Sequence, residues 1–151
     1  MTTPRIVSVG ESWVENPREG KREICMSKPD KKQRVVVLGA SPNPERYAHR
    51  ALCLLRQHGH EVVPVNPSYQ TIEGIPVVRE LSGVEGPVDT VTLYVSAKIS
   101  SPLCAALARL QPARVIFNPG AENQALRESL EEQGICTLEA CTLVLLNTGQ
   151  F

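Results

Sequence analysis

The stretch Arg34-Val35-Val36-Val37-Leu38-Gly39-Ala40-Ser41-Pro42-Asn43-Pro44-Glu45-Arg46 decides how this chain folds. A β-branched strand stops at a glycine, crosses a small polar loop and enters an amphipathic helix. The continuous apolar run Val35 to Leu38 suits a strand covered on both faces. Ala48, Ala51, Leu52 and Leu55 follow at helical spacing and predict one buried helix face. A strand-to-helix turn of this kind aims backbone N–H groups and the positive end of a helix dipole at one point beyond the strand. The expected occupant of that point is an anion, most commonly a phosphate.

Outward from this stretch the strand–helix rhythm repeats. Gly59 is placed to end the first helix, and Glu61 to Val65 read as a second strand in which Pro64 removes a ladder donor, so one side must be poorly paired. Gly74 to Val78 allow a short third strand followed by one helical turn. Thr90 to Val95 read as a strand, then a helix with Ile99, Leu103, Leu107 and Leu110 on one side. Arg114 to Phe117 are a strand, Glu122 to Gln133 a helix stopped by Gly134, Ile135 to Leu138 a last strand, and Thr142 to Leu146 a short helix. Strands separated by single helices need crossover connections, which build a parallel sheet. The expected fold is therefore α/β, a Rossmann-like doubly wound parallel sheet of about five strands with helices on both faces. Ligands on such sheets sit beyond the carboxyl ends of the strands, where strand order reverses. Residues 39–46, 66–68, 96–98 and 118–122 should line that crevice.

Residues 1–33 differ: they are rich in charge and proline and lack hydrophobic periodicity, which predicts a poorly ordered or loosely docked extension ahead of a domain over 34–151. Trp13 and Val14 are its candidate docking residues. Lys and Arg balance Asp and Glu at a net charge of zero, so nucleic acid and anionic membranes are not expected partners. No apolar stretch is long enough to span a bilayer and the N-terminus lacks a signal-peptide core, so a cytoplasmic location is expected. Five scattered cysteines do not form a disulfide or zinc pattern. Cys53 and Cys104 read as small core residues. A protein partner or a homo-oligomer is compatible with these features.

The loop is neither G-x-G-x-x-G nor G-x-x-x-x-G-K-[ST], so a P-loop is excluded on pattern. Nicotinamide-binding sheets of this kind place Asp or Glu at the end of the second strand. Here Asn66-Pro67 stand there, which tilts the reading away from NAD and leaves coenzyme A or a similar phosphorylated nucleotide open. Three motifs in order, the Val35–Arg46 stretch, Val65-Asn66-Pro67 and Phe117-Asn118-Pro119-Gly120-Ala121-Glu122-Asn123, together with the closing Glu139–Val144, resemble the small CoA-binding domain proteins. These are similar in fold to the CoA-binding domain of the succinyl-CoA synthetase α subunit. The resemblance covers residues 34–151. It implies that Gly39, Ala40 and Ser41, in the loop continuing through Asn43, wrap the pyrophosphate. It further implies that Asn66 and Pro67 border the adenosine with Val95 and Ser96 beside it, and that Asn118, Pro119 and Gly120 form the far wall. Arg46 and Lys98 are the cations best placed to meet phosphate charge.

No catalytic constellation is legible. The histidines have no metal spacing, His58 and His60 lie at the opposite end of the sheet, and His49 reads as a packing or surface residue. No nucleophile elbow or converging carboxylate pair exists. Cys141, opening the last helix, is the one candidate reactive thiol. The first hypothesis is a non-enzymatic CoA or acyl-CoA binding module acting as a sensor, carrier or subunit. The alternatives are a nicotinamide-dependent enzyme or redox sensor, and an interaction domain with a vestigial cleft.

Overall fold

The computed structural model describes residues 31–151, so the expectations for Trp13, Val14, Cys25 and most of the extension lie outside the described residues. Strand β1 (Arg34–Leu38) leads through the polar loop into helix α1 (Tyr47–Gln57), and β2 (Glu61–Val65) returns parallel to β1. A small hairpin, β3 (Thr71–Ile72) and β4 (Ile75–Pro76), precedes β5 (Thr90–Leu93). Helices α2 (Ala97–Ser100) and α3 (Cys104–Leu110) then lead to β6 (Arg114–Phe117), α4 (Gln124–Glu132), β7 (Cys136–Glu139) and α5 (Thr142–Asn147). The five long strands are all parallel in the order β2-β1-β5-β6-β7. Strand order reverses between β1 and β5, which puts the crevice beside the end of β1.

Two apolar layers flank the sheet. On one side Val36, Val91, Val115 and Phe117 pack with Leu107 of α3 and with Leu126 and Leu130 of α4. On the other, Val35, Val37 and Ile116 pack with Ala48, Leu52 and Leu55 of α1 and with Leu145 and Leu146 of α5. The alternation of side chains along β1 sorts its valines between the two layers. Together they give the doubly wound Rossmann-like architecture expected from the sequence.

Pro64 pairs with Val37 in register, and its own carbonyl accepts from the Val78 N–H at 2.9 Å on the outer side of β2. The missing proline donor therefore faces the sheet edge, where only a single parallel bridge between Val65 and Val78 forms. The expected third strand survives as that bridge. Ile75 and Pro76 instead turn back on Thr71 and Ile72, because Glu73 and Gly74 both adopt positive φ, +52° and +77°, the geometry of a tight two-residue hairpin turn. One 3-10 turn, Leu81–Gly83, follows.

Three expectations need correction. The helix after β5 is broken by a 3-10 turn at Ser101–Leu103 containing Pro102, so its phase shifts: Ile99 is 55% exposed and Ser100 is buried in its place. Cys53 and Cys104 are only half-buried, and the core cysteine is Cys136 on β7. Gln33, assigned to the extension, is buried at the foot of β1, where Thr90 Oγ1 donates to its side-chain oxygen at 2.6 Å. Among the described residues, no helix is long and apolar enough to cross a membrane.

Candidate functional site

The carboxyl ends of β2, β1, β5 and β6 lie side by side, so the loops beginning at Asn66, Gly39, Tyr94 and Asn118 rise from one edge of the sheet. Gly39 turns the chain out of β1 with φ +92°. A Cβ there would lie 2.8 Å from Val95 Cγ1 and 3.0 Å from the Tyr94 carbonyl oxygen. The glycine is thus required by the close approach of β1 to the end of β5. The Gly39 and Ala40 N–H groups both donate to the Val65 carbonyl, at 3.0 and 3.3 Å. These two amides fasten the start of the loop to β2.

The loop builds its own turns beyond that point. Asn43 N–H donates to Ser41 Oγ at 3.1 Å, Glu45 N–H donates to Asn43 Oδ1 at 2.9 Å, and Arg46 N–H donates to the Asn43 carbonyl at 3.0 Å. Asn43 therefore shapes the entry to α1 through its side-chain oxygen, and the residue is exposed. Arg46 is the N-cap of α1 and supplies no side-chain cap, and the first turn contains no acid. The Tyr47 and Ala48 N–H groups open the helix with no acceptor inside it. This helix end carries its dipole uncompensated. Arg46 beside it is exposed, and among the described residues its guanidinium has no hydrogen-bond or ion-pair partner.

At the end of β2, Asn66 donates through Nδ2 to the Ala40 carbonyl at 2.8 Å, and its Oδ1 accepts from Ser68 N–H at 2.8 Å. It ties two crevice loops together, with Pro67 and Ser68 exposed beyond it. No carboxylate occupies this strand end. At the end of β5, Val95 packs against Gly39, and Ser96 is the exposed N-cap of α2. Lys98 on that helix is exposed and, among the described residues, unpaired.

Asn118 is 1% exposed and acts as a brace. Its Nδ2 donates to Thr92 Oγ1 at 2.6 Å and to the Leu93 carbonyl at 2.9 Å, while its Oδ1 accepts from Thr142 N–H at 2.8 Å. The residue thus joins β5, β6 and the start of α5, and no atom of its amide is left facing the crevice. Pro119 and Gly120 are exposed on the rim, where Gly120 N–H donates to Glu122 Oε1 at 2.9 Å. Asn123 caps α4 by accepting from Leu126 N–H at 3.1 Å and also donates to the Ser100 and Ser101 hydroxyls. An amide just ahead of an apolar helical repeat is a readable cap signal, yet sequence reasoning passed over it.

Sequence reasoning also missed Tyr94. Its hydroxyl is buried and makes no hydrogen bond of regular geometry; burial pushes its pKa up to about 12, against the opposing pull of the nearby Thr142 and Thr92 hydroxyls. The Thr92 and Thr142 hydroxyls nearby are bonded to each other at 2.8 Å. Cys141 is the half-buried N-cap of α5 and gives that helix no side-chain cap.

Comparison with known proteins agrees with the fold. The domain family described as CoA binding domain matches residues 33–147. A curated protein of Bacillus subtilis strain 168, YneT, is 31% identical over 82 residues, which span 54% of this chain and 58% of that protein. The match therefore covers little more than half of the relative's length. A crystal structure of an uncharacterized protein superposes with a TM-score of 0.76 at 41% identity, over 80% of this chain and 99% of that one. A Thermus thermophilus protein superposes with a TM-score of 0.77 at 25% identity, over 89% of this chain and 99% of its own.

Proposed function

The chain belongs to the CoA binding domain family, and from that premise we propose that it binds coenzyme A or an acyl-CoA as a cytoplasmic, non-enzymatic module. The observation that carries the proposal is the N-terminus of α1: without a side-chain cap, with no acid in its first turn, beside an arginine that has no partner among the described residues, and next to the point where strand order reverses. Its Tyr47 and Ala48 amides and the Arg46 guanidinium form the donor set for the ligand's phosphates. Lys98 contributes a second positive charge from across the β1–β5 boundary. The residues fit a phosphorylated nucleotide in a further respect. A carboxylate at the end of β2 would repel a ribose phosphate, and Asn66 and Pro67 do not.

In this reading Asn66 and Asn118 are positioning residues. Each fixes neighbouring strand-end loops through carbonyl or hydroxyl contacts, so the phosphate donors are held in place before the ligand arrives. Such preorganisation lowers the ordering cost of binding. Pro67, Ser68, Val95 and Ser96 border the nucleoside, and Pro119 and Gly120 the far rim. A role as sensor, carrier or subunit follows from binding without an identified catalytic group.

Calorimetry of the full chain with CoA, acetyl-CoA, NAD(H) and NADP(H) tests the proposal. Binding of CoA or acetyl-CoA alone is the expected result. Binding of nicotinamide dinucleotides alone would replace it with a redox function. Silence from every ligand would leave an interaction domain whose cleft is vestigial.

A further inference from the structure

Away from the crevice loops, α1 carries His49 and Cys53 one helical turn apart, and the β3–β4 turn brings Glu73 to the same place. His49 Nε2 lies 2.9 Å from Glu73 Oε2. Cys53 Sγ lies 3.8 Å from His49 Nδ1 and 3.9 Å from Nε2, and one donor atom from each of the three residues falls within 4.8 Å of the others. We propose that His49, Cys53 and Glu73 form a binding site for a thiophilic divalent cation of the zinc class, with one coordination position left open to solvent.

Three protein ligands drawn from nitrogen, sulfur and oxygen are the donor set of an open zinc site and do not suit the all-oxygen preference of calcium or magnesium. Tetrahedral coordination at ordinary zinc bond lengths sets ligand atoms about 3.3–3.8 Å apart. The present separations, from 2.9 Å for His49–Glu73 to no more than 4.8 Å, bracket that range. His49 is buried, Cys53 half-buried and Glu73 exposed, so the site has a rigid floor and an entry path.

A second observation concerns the backbone. Glu73 holds φ +52° in a turn whose geometry favours glycine, asparagine or aspartate. Turn chemistry alone gives no reason for glutamate there, whereas ligation gives one. The Arg56 guanidinium donates to the Glu73 backbone carbonyl at 3.2 Å, and the Glu73 carboxylate meets His49. The Cys53 thiol and the His49 ring are in contact at 3.8 Å. Burial first, and then Glu73, push the thiol pKa up against a smaller opposing effect of Arg56. A bound cation would reverse that balance and hold the sulfur as thiolate. It would also staple the β3–β4 hairpin to α1.

The test is a cobalt titration of the full chain, reduced, stripped with chelator and free of CoA. One equivalent of Co2+ should produce a thiolate-to-cobalt charge-transfer band with the visible absorption of four-coordinate cobalt, and zinc should displace it. Cys53→Ser should lose the band, and Glu73→Gln should weaken cobalt binding at least tenfold. Cys104→Ser and Cys141→Ser should leave both unchanged. Circular dichroism establishes that each variant is folded. As an independent readout, zinc should raise the Tm of the wild type and not that of the Cys53→Ser, Glu73→Gln double variant. Absence of the band at a hundredfold excess of cobalt, or its persistence in Cys53→Ser, would reduce the cluster to a hydrogen-bonded His–Glu pair and overturn the proposal.

Discussion

The two ends of the parallel sheet are built on opposite principles. At the amino end, Gln33, Thr90, Arg114 and Phe151 form a closed polar cluster. Thr90 Oγ1 accepts from Arg114 Nε at 2.9 Å and donates to the Gln33 side chain, while the Phe151 carbonyl accepts from Arg114 at 2.7 Å and from Gln33 at 3.2 Å. The Arg114 guanidinium also stacks over the Phe151 ring at 4.5 Å, and His60 packs against that ring at 5.1 Å. At the carboxyl end, by contrast, the half-buried amide of Asn66 and the buried amide of Asn118 hold loops whose rim displays an uncapped helix and two cations without a partner among the described residues. One end converts polar groups into rigidity. The other uses a rigid base to leave donors available, which is how a binding edge differs from a closing edge.

Gly39→Val should have the largest effect and tests whether the carboxyl end is as rigid as the contacts imply. The new side chain meets Val95 and the Tyr94 backbone, and the φ of +92° is unfavourable to any β-branched residue. The expected cost is roughly 3–5 kcal/mol of stability, read as a lower denaturant midpoint and poor folded yield. A fully stable variant that merely lost CoA would mean the glycine serves the ligand rather than β5. Arg114→Met should come next. It removes the hub of the amino-end cluster and strips partners from Thr90 and Phe151, at a cost of about 2–3 kcal/mol. Urea denaturation measures that loss, and CoA affinity of the folded fraction should be unchanged, because the two ends are independent.

The fold was legible because its signals are local and repeated. The valine run of β1, the apolar spacing of α1 and the glycine stops at 59 and 134 each name an element, and together they force a parallel sheet. The binding edge was less legible. Sequence position identifies which residues stand at the strand ends, but not whether their polar atoms face outward. Gly39 and Asn118 stand where the pattern put them, yet their groups are bonded to Val65, Leu93 and Thr142, partners that only the tertiary fold supplies. The amino-end cluster was invisible for the same reason, since it joins residues from separate elements with no shared spacing. In the His49–Cys53–Glu73 group, His49 and Cys53 share the helical i, i+4 spacing, and only the fold brings Glu73 to them.

Arg46→Ala sharpens the contrast from the other side. Removing an exposed, unpaired guanidinium should leave Tm unchanged and weaken CoA about tenfold, near 1.4 kcal/mol, with a reduced salt dependence in calorimetry. An unchanged Kd would move the phosphate site away from α1. His60 probes the closed end by pH. Burial first, then His58 and Arg114, lower its pKa below the ordinary 6.5, with Asp89 opposing. Its Nδ1 accepts from the Gln33 N–H at 3.0 Å, which requires the neutral ring. The unfolded chain therefore takes up a proton before the folded one does. This contribution to stability is whole above about pH 6.5, declines as the pH falls below it, and levels off once the folded ring is protonated. Thermal melts between pH 7.5 and 5 should show that decline, and His60→Gln should flatten it.

Tyr94→Phe makes the smallest change and asks whether the binding edge carries an uncompensated group. Among the described residues, the Tyr94 hydroxyl is the buried side-chain polar atom without a partner, and it lies at the carboxyl end. A buried hydroxyl left unpaired costs on the order of 1 kcal/mol or more, while phenylalanine preserves the ring packing against the α1 and α5 layer. Thr92 and Thr142 already satisfy each other, so deleting the hydroxyl strands neither of them. The variant should therefore be equal to the wild type or slightly more stable, by up to about 1 kcal/mol, as measured by denaturant midpoint. A loss of stability would mean that the hydroxyl bonds to Thr92 or Thr142 in solution. The carboxyl end would then be as closed in its interior as the amino end, with its openness confined to the rim at Arg46 and Lys98.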